Sequence, residues 1–283
     1  MMATAPINKI IEFSNVDGPG NRTSIFVQKC PFKCLYCHNP ETIHMCVHCG
    51  ICVETCPKKG EALEKIVNGK VVWHKEKCID CDTCIHVCPH LSSPKITEMT
   101  ADDVIEQIKP LFPYIQGITV SGGECTNYPQ FLTELFTKIH TYNKTCFLDS
   151  NGAYLYEQMP ALMAVTDAVM LDVKAWNKSW HEKLTGISNE NVLRNLKWLQ
   201  EHDKLYEVRT VCMPNMHEDN LSTALGVVAN LDPNIRYKLI KYRPFGVREE
   251  GLQKLGNTIT TDEEIHLLKV ACEEHGAKNV IIV

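Results

Sequence analysis

Eleven of the 15 cysteines crowd into residues 30–88, and their spacing limits what this stretch can become. Cys30, Cys34 and Cys37 form a first group. Cys46, Cys49, Cys52 and Cys56 follow, with Pro57 behind the last of them. Cys78, Cys81, Cys84 and Cys88 repeat that run, again with a proline, Pro89, behind. From about His44 to Pro94 the composition turns to Cys, His, Lys and turn residues with little helical period, so the stretch reads as an inserted module. An odd total of 15 excludes complete disulfide pairing. The first residues, Met1 to Pro6, lack the basic start and apolar stretch of a signal peptide. A cytosolic, reducing setting is therefore expected, where thiols serve as metal ligands.

Outside the insert the pattern is a regular alternation. Apolar runs at Ile10–Phe13, Thr23–Val27, Ile118–Val120, Thr145–Leu148, Ala168–Leu171, Leu205–Val211, Tyr237–Ile240 and Val280–Val283 read as strands. Helical patterns lie over Asp102–Leu111, Gln130–Tyr142, Tyr156–Val165, Glu190–His202, Leu221–Ala229 and Asp262–His275, with Thr100 as a cap for the first. Strands alternating with helices imply parallel βα units and right-handed crossovers. The expected fold is α/β: a partial or full TIM-type barrel, with a ferredoxin-like module inserted. The segments are 1–43, 44–95 and 96–283, the first and last forming the barrel. A net charge of −5 argues against nucleic-acid or anionic-membrane binding, and no apolar run approaches the ~20 residues of a membrane span.

The two longer cysteine runs follow the bacterial two-cluster ferredoxin pattern, in which the fourth cysteine ligates the other cluster. Cys46, Cys49, Cys52 and Cys88 are assigned to one [4Fe–4S] cluster, and Cys78, Cys81, Cys84 and Cys56 to a second. A pair of zinc sites is the competing reading. His44, His48, His74, His86 and His90 read as solvated or packed. Cys30, Cys34 and Cys37 hold only three irons of a cubane, which leaves the fourth open to a chelating ligand. Alternatively, one of Cys125, Cys146, Cys212 or Cys272 closes that site.

The three-cysteine loop has Tyr36 before its last cysteine and His38-Asn39-Pro40 behind it. Asp17-Gly18-Pro19-Gly20-Asn21-Arg22 precedes it, and Phe26 stands four residues before Cys30. On these residues the chain resembles the radical S-adenosylmethionine (SAM) superfamily, and within it the activating enzymes of glycyl radical enzymes. It departs at Lys29, where a glycine is usual. Strings such as Gly69–Trp73, Met170–Trp176 and Leu184-Thr185-Gly186 look closest to the YjjW-type activases. The resemblance implies reductive cleavage of SAM to methionine and a 5′-deoxyadenosyl radical, which takes hydrogen from a backbone glycine of a partner. It also implies a YjjI-like glycyl radical enzyme as that partner and a reduced flavodoxin or ferredoxin as electron donor.

Polar residues close three successive strands: Ser121-Gly122-Gly123-Glu124, Asp149-Ser150-Asn151-Gly152 and Asp172-Val173-Lys174. In a βα barrel the C-terminal strand ends carry function, and the two glycines are expected to let a ligand approach the backbone. By resemblance, Ser121, Gly122, Gly123 and Glu124 contact SAM, and Asp172, Val173 and Lys174 orient it, with Tyr36 and His38 beside the cluster. Asp149 and Ser150 match positions that, with Asp172, surround a monovalent cation in some relatives. Arg209 matches an arginine facing the SAM site, and Arg243 stands where relatives often have histidine. Trp176, Trp180 and Trp198 read as packing residues. Two rival functions remain: a radical SAM enzyme acting on a small molecule or peptide with auxiliary clusters, and a ferredoxin-like electron carrier.

Overall fold

The computed structural model describes residues 2–66 and 68–283. Met1 and Val67, inside the first and second expected segments, lie outside the described residues. The strands are β1 (Thr4–Ser14), β2 (Arg22–Val27), β3 (Leu63–Lys65), β4 (Val71–Trp73), β5 (Thr97–Thr100), β6 (Gly117–Gly122), β7 (Thr145–Ser150), β8 (Ala168–Asp172), β9 (Leu205–Cys212), β10 (Arg236–Lys241) and β11 (Val280–Ile282). Nine of them form one sheet in the order β11-β10-β9-β8-β7-β6-β2-β1-β5. From β2 to β11 every neighbouring pair is parallel. β1 is antiparallel to both β2 and β5. The sheet ends at β5 and β11 without pairing between them, so among the described residues the barrel is partial rather than closed.

Helices Pro129–His140, Pro160–Ala164, Glu190–Glu201, His217–Val228 and Asp262–Glu274 carry the chain between successive parallel strands. Covered by these helices on the outside, the central strands are apolar on both faces, and Ile118, Val120, Leu148, Val169, Leu171 and Val208 are fully buried. Thr100 caps the helix Ala101–Ile108 in a reciprocal capping box with Asp103, and Thr261 does the same with Glu264. The expected helix over Tyr156–Val165 is split into a 3₁₀ turn, Tyr156–Gln158, and the helix Pro160–Ala164. Pro160 lacks an N–H and so begins a helix rather than continuing one. β1 reaches back to Thr4, through Pro6, beyond the expected Ile10–Phe13. Strands β3, β4 and β5 and helices Lys178–Thr185 and Glu249–Leu255 were not expected. The strands are three or four residues long and the helices seven and eight, too short for periodicity to mark them in the sequence.

Because the strands are parallel, their C-terminal ends share one end of the sheet. The Asp17–Arg22 segment lies at the opposite end. Arg22 begins β2, beside Gly117 and Thr145 at the starts of β6 and β7. It is fully buried and donates to Thr119 Oγ1, Thr145 Oγ1, Ile118 O and Thr145 O, with its guanidinium 4.2 Å from the Phe147 ring. Burial lowers its pKa to about 10. Asp17 Oδ2 accepts from Ser14 Oγ and Ser24 Oγ, both at 2.6 Å. This segment therefore closes the floor of the barrel.

The described part of the insert adds nothing to the large sheet. It forms the antiparallel pair β3–β4 and two short helices, Ile51–Thr55 and Thr83–His86. Among the described residues no helix is long and apolar enough to cross a membrane.

Candidate active site

The loop after β2 carries Cys30, Cys34 and Cys37 across the C-terminal end of the barrel. Lys33 N and Leu35 N donate to Thr185 O and Leu184 O, both at 2.8 Å, so the Leu184-Thr185 string anchors the loop. Arg248 Nη2 donates to Cys34 O at 3.1 Å and Lys33 O at 3.3 Å from the far side of the barrel. Lys29 sits at φ +78°, a conformation that favours glycine, which explains why glycine is usual there.

Gly122 and Gly123 are required by the chain's own packing. A Cβ on Gly122 would lie 2.2 Å from Val27 N, and one on Gly123 would lie 2.3 Å from Lys29 O. The space is filled by the protein's own backbone. Gly123 N donates to Val27 O and Glu124 N to Lys29 O, which lock the end of β6 to the root of the cysteine loop. Gly123→Ala is expected to cost about 3 kcal/mol through overpacking. Urea unfolding checks it; an unchanged midpoint would contradict the packing role.

Four charged groups meet above the strand ends. Arg209, on β9, pairs with Asp149 of β7, and its Nε donates to Asp172 Oδ1 of β8 at 2.8 Å. Lys174 Nζ reaches Asp172 Oδ2 at 3.0 Å, and Ser121 Oγ donates to Asp149 Oδ2 at 3.0 Å. The two carboxylates and two cations are all mostly buried, and each charge is matched, as buried charges require. Burial works against the Asp172 charge, but Arg209 and Lys174 outweigh it and hold the carboxyl down to about 2. Val173 is buried in the turn between them, its N–H on Arg209 O. Lys174 Nζ also lies 5.5 Å from the centre of the Tyr36 ring, which ties the network to the cysteine loop.

Ser150, Glu124 and Arg243 are placed otherwise than expected. Ser150 Oγ donates to Glu124 Oε1 at 2.8 Å and accepts from Tyr156 Oη, so it does not join Asp149. The guanidinium of Arg209 bridges Asp149 and Asp172, two of the positions that surround a monovalent cation in some relatives, and it supplies neutralising charge there. Glu124 is buried, and its carboxylate accepts from Thr126 N, Thr126 Oγ1, Ser150 Oγ and Asn151 N. That side chain knots β6 to β7, with Oε1 accepting three of these bonds and Oε2 one. Arg243 is exposed, and only its carbonyl approaches the loop, accepting from His38 Nε2 at 3.0 Å.

Two residues that matter here were not among the expected ones. Asn151 Nδ2 lies 3.4 Å from Cys30 Sγ. Its place in the polar run 149–152 was the available signal. Arg248, in a segment with no recognised pattern, had none.

The eight cysteines of the insert fall into two groups of four. Cys46, Cys49, Cys52 and Cys88 line one small pocket, and Cys56, Cys78, Cys81 and Cys84 line another. Tetrahedral zinc at ~2.3 Å from each sulfur brings the sulfurs within about 4 Å of one another. Among the described residues only His140, Cys146 and Asp167 gather three ligand atoms within 4.8 Å, and none of the eleven clustered cysteines does so. Thiolates that each bind a different iron stand farther apart. In the three-cysteine loop, burial and the neighbouring Cys34 push the Cys37 thiol up to about 12, and burial raises Cys30 and Cys34 as well. Such thiols release protons on binding metal. The Tyr36 hydroxyl is buried there without a protein partner, a polar atom suited to a bound group. Cys125 is fully buried, with its thiol directed to Asp149 O and Glu124 Oε1, and Cys146 faces Phe136 O. Cys212 faces Thr210 O, and Cys272 is buried in its helix.

Comparison with known proteins agrees with this geometry. The model of the radical SAM superfamily matches residues 24–226. A pyruvate formate-lyase-activating enzyme of Streptococcus mutans is 30% identical, over 86% of this chain and 79% of that enzyme. An indoleacetate decarboxylase activating enzyme of Tractidigestivibacter scatoligenes is 28% identical, over 98% of this chain and 97% of its own length. Among solved structures, QueE from Escherichia coli shares the fold with a TM-score of 0.54 at 13% identity, covering 99% of this chain and 94% of QueE. The chain belongs to the radical SAM superfamily and, within it, to the glycyl-radical enzyme activating enzymes.

Proposed function

We propose that this protein is an activase that cleaves SAM reductively and installs a glycyl radical on a partner enzyme. The supporting observation is the meeting of a three-cysteine loop with the Asp149–Arg209–Asp172–Lys174 network at one end of the barrel, joined through Tyr36. Cys30, Cys34 and Cys37 would hold a [4Fe–4S] cluster with one iron free of protein ligands. Bound there, the cluster supplies the electron that splits the sulfonium of chelated SAM into methionine and a 5′-deoxyadenosyl radical. Lys174 and Asp172, fixed by their ion pair, present one cation and one carboxylate to the polar groups of SAM. Arg209 helps hold Asp172 ionised and fixes both Asp149 and Asp172 in place, so the site is preorganised before SAM arrives. A partner loop would enter at this end of the barrel. Its glycine Cα gives a hydrogen atom to the 5′ carbon, which yields 5′-deoxyadenosine and a glycyl radical.

We assign two further clusters to the insert, one on Cys46, Cys49, Cys52 and Cys88, the other on Cys78, Cys81, Cys84 and Cys56. The paired cavities and the wide sulfur spacing support this. With all thiolate positions filled, those clusters would relay electrons from a reduced flavodoxin or ferredoxin. A YjjI-like partner and a cytosolic, oxygen-sensitive enzyme follow from the YjjW-type resemblance.

The test uses glycyl radical enzymes of the same cell, each labelled with α-deuterated glycine. Reduced, cluster-loaded protein is incubated with SAM and each candidate. Deuterium in 5′-deoxyadenosine, together with a glycyl radical signal by electron paramagnetic resonance, is the expected result. Label-free 5′-deoxyadenosine with every candidate would favour a small-molecule or peptide substrate. No turnover of SAM would favour the electron carrier.

A further inference from the structure

This inference rests on reading Cys30, Cys34 and Cys37 as the ligands of the SAM-binding cluster, and concerns the residue that faces the first of them. Asn151 follows β7 and is buried, 7% exposed. Its backbone N–H donates to Glu124 Oε2 at 2.8 Å. Its Oδ1 accepts from Ala153 N at 3.0 Å. With the carbonyl end of the amide occupied, the NH₂ end points the other way, and this assigns the orientation chemically. That end lies 3.4 Å from Cys30 Sγ.

The three cysteines do not share the same surroundings. Cys34 and Cys37 feel the positive charge of Lys174, and Cys34 feels Arg248 as well, beside the negative charges of Asp172 on Cys34 and of Cys34 and Glu41 on Cys37. Cys30 feels the negative charges of Glu124 and its sister thiolates, relieved by the Phe32 backbone N–H. Asn151 is the one side chain that donates to its sulfur among the described residues. Glu124 places that donor: held by Thr126 and Ser150, it grips the Asn151 backbone while its own charge opposes the Cys30 thiolate.

We propose that Asn151 is a positioning residue for Cys30, whose amide N–H fixes that corner of the cluster and raises the cluster's affinity for an electron. Reduction adds negative charge that spreads onto the thiolates, and a donor to the sulfur stabilises the reduced form. Glu124 of the Gly-Gly-Glu turn helps place Asn151 through its backbone N–H.

Asn151→Asp is isosteric, keeps an acceptor for Ala153 N and replaces the donor with an anionic oxygen. Asn151→Ala removes the donor without adding charge. The readout is a redox titration followed by electron paramagnetic resonance. The relevant signal is the one missing from a Cys34→Ala variant, which separates it from the insert without using SAM. At a fixed ambient potential, the reduced-to-oxidised ratio of N151D should fall at least about tenfold, equivalent to 59 mV for one electron. N151A should shift the same way by less, and the insert signals should stay in place. An unchanged potential in both variants with full iron content overturns the proposal. If a variant loses iron selectively from this site, an unchanged urea midpoint supports the positioning role, and a lowered midpoint overturns it. A wild-type protein that shows this signal but neither binds nor cleaves SAM would sink the activase reading alone, because the titration does not depend on SAM.

Discussion

Cys34→Ala is expected to abolish reductive cleavage of SAM and to leave about eight irons bound, four in each cubane assigned to the insert. Cys34 is buried at the centre of the loop, its carbonyl held by Arg248 and its sulfur near Lys174. Removing its thiol deprives a three-ligand cluster of a ligand that no nearby group replaces. Cys125 is buried with its thiol directed to Asp149 O and Glu124 Oε1, and so is already committed. The insert draws on none of the loop's thiols, since its two cavities are lined by eight other cysteines. The loss of activity should therefore be essentially complete while iron analysis falls by about four per chain. A variant that still forms 5′-deoxyadenosine at the wild-type rate would show that the site assignment is wrong.

Arg209→Met has the second large effect, and it falls on stability. The guanidinium bridges Asp149 and Asp172, and all three side chains are mostly buried. Breaking a buried pair from one side costs about 3–5 kcal/mol, because charge is left uncompensated in a medium that solvates it poorly. The sign of its pH dependence follows. In the native protein Asp172 is held down to about 2, so its contribution is complete above the unfolded carboxyl range and is lost as pH falls toward that value. In the native protein burial already raises Asp149 against the pull of Arg209, and without Arg209 it rises further. A carboxyl raised in this way opposes folding at neutral pH and is relieved on protonation. The deficit of Arg209→Met should therefore shrink between about pH 7 and about pH 5. Adding Asp149→Asn should recover part of it. Urea midpoints of the apo protein at the two pH values give the answer. A deficit below ~1 kcal/mol, or one that grows in acid, contradicts the bridging role.

The legible parts of this chain were those where chemistry and period speak together. Cysteine spacing marked both the loop and the insert, and the polar residues at Asp149 and Asp172 marked the ends of β7 and β8. Thr100 announced its helix because an N-cap hydroxyl has a local job. What stayed hidden depends on contacts distant in sequence. β5 is only four residues long and becomes a strand by pairing with β1. The Gly122-Gly123 pair looked like a ligand turn, but the atoms that demand glycine belong to Val27 and Lys29, almost a hundred residues earlier. Ser150 and Asp149 are neighbours in sequence, yet their side chains face opposite ways from a strand, one to Glu124 and the other to Arg209. Arg248 holds the carbonyl of Cys34 across 214 residues, a relation no local pattern encodes.

The most direct test of the three-ligand site is chemical. The clusters are reconstituted anaerobically, dithionite and SAM are added, and 5′-deoxyadenosine and methionine are quantified by chromatography. Equal amounts of both products, absent without reductant and absent in Cys34→Ala, are expected. Fully iron-loaded wild-type protein that leaves SAM intact under reduction would contradict an iron held open by Cys30, Cys34 and Cys37.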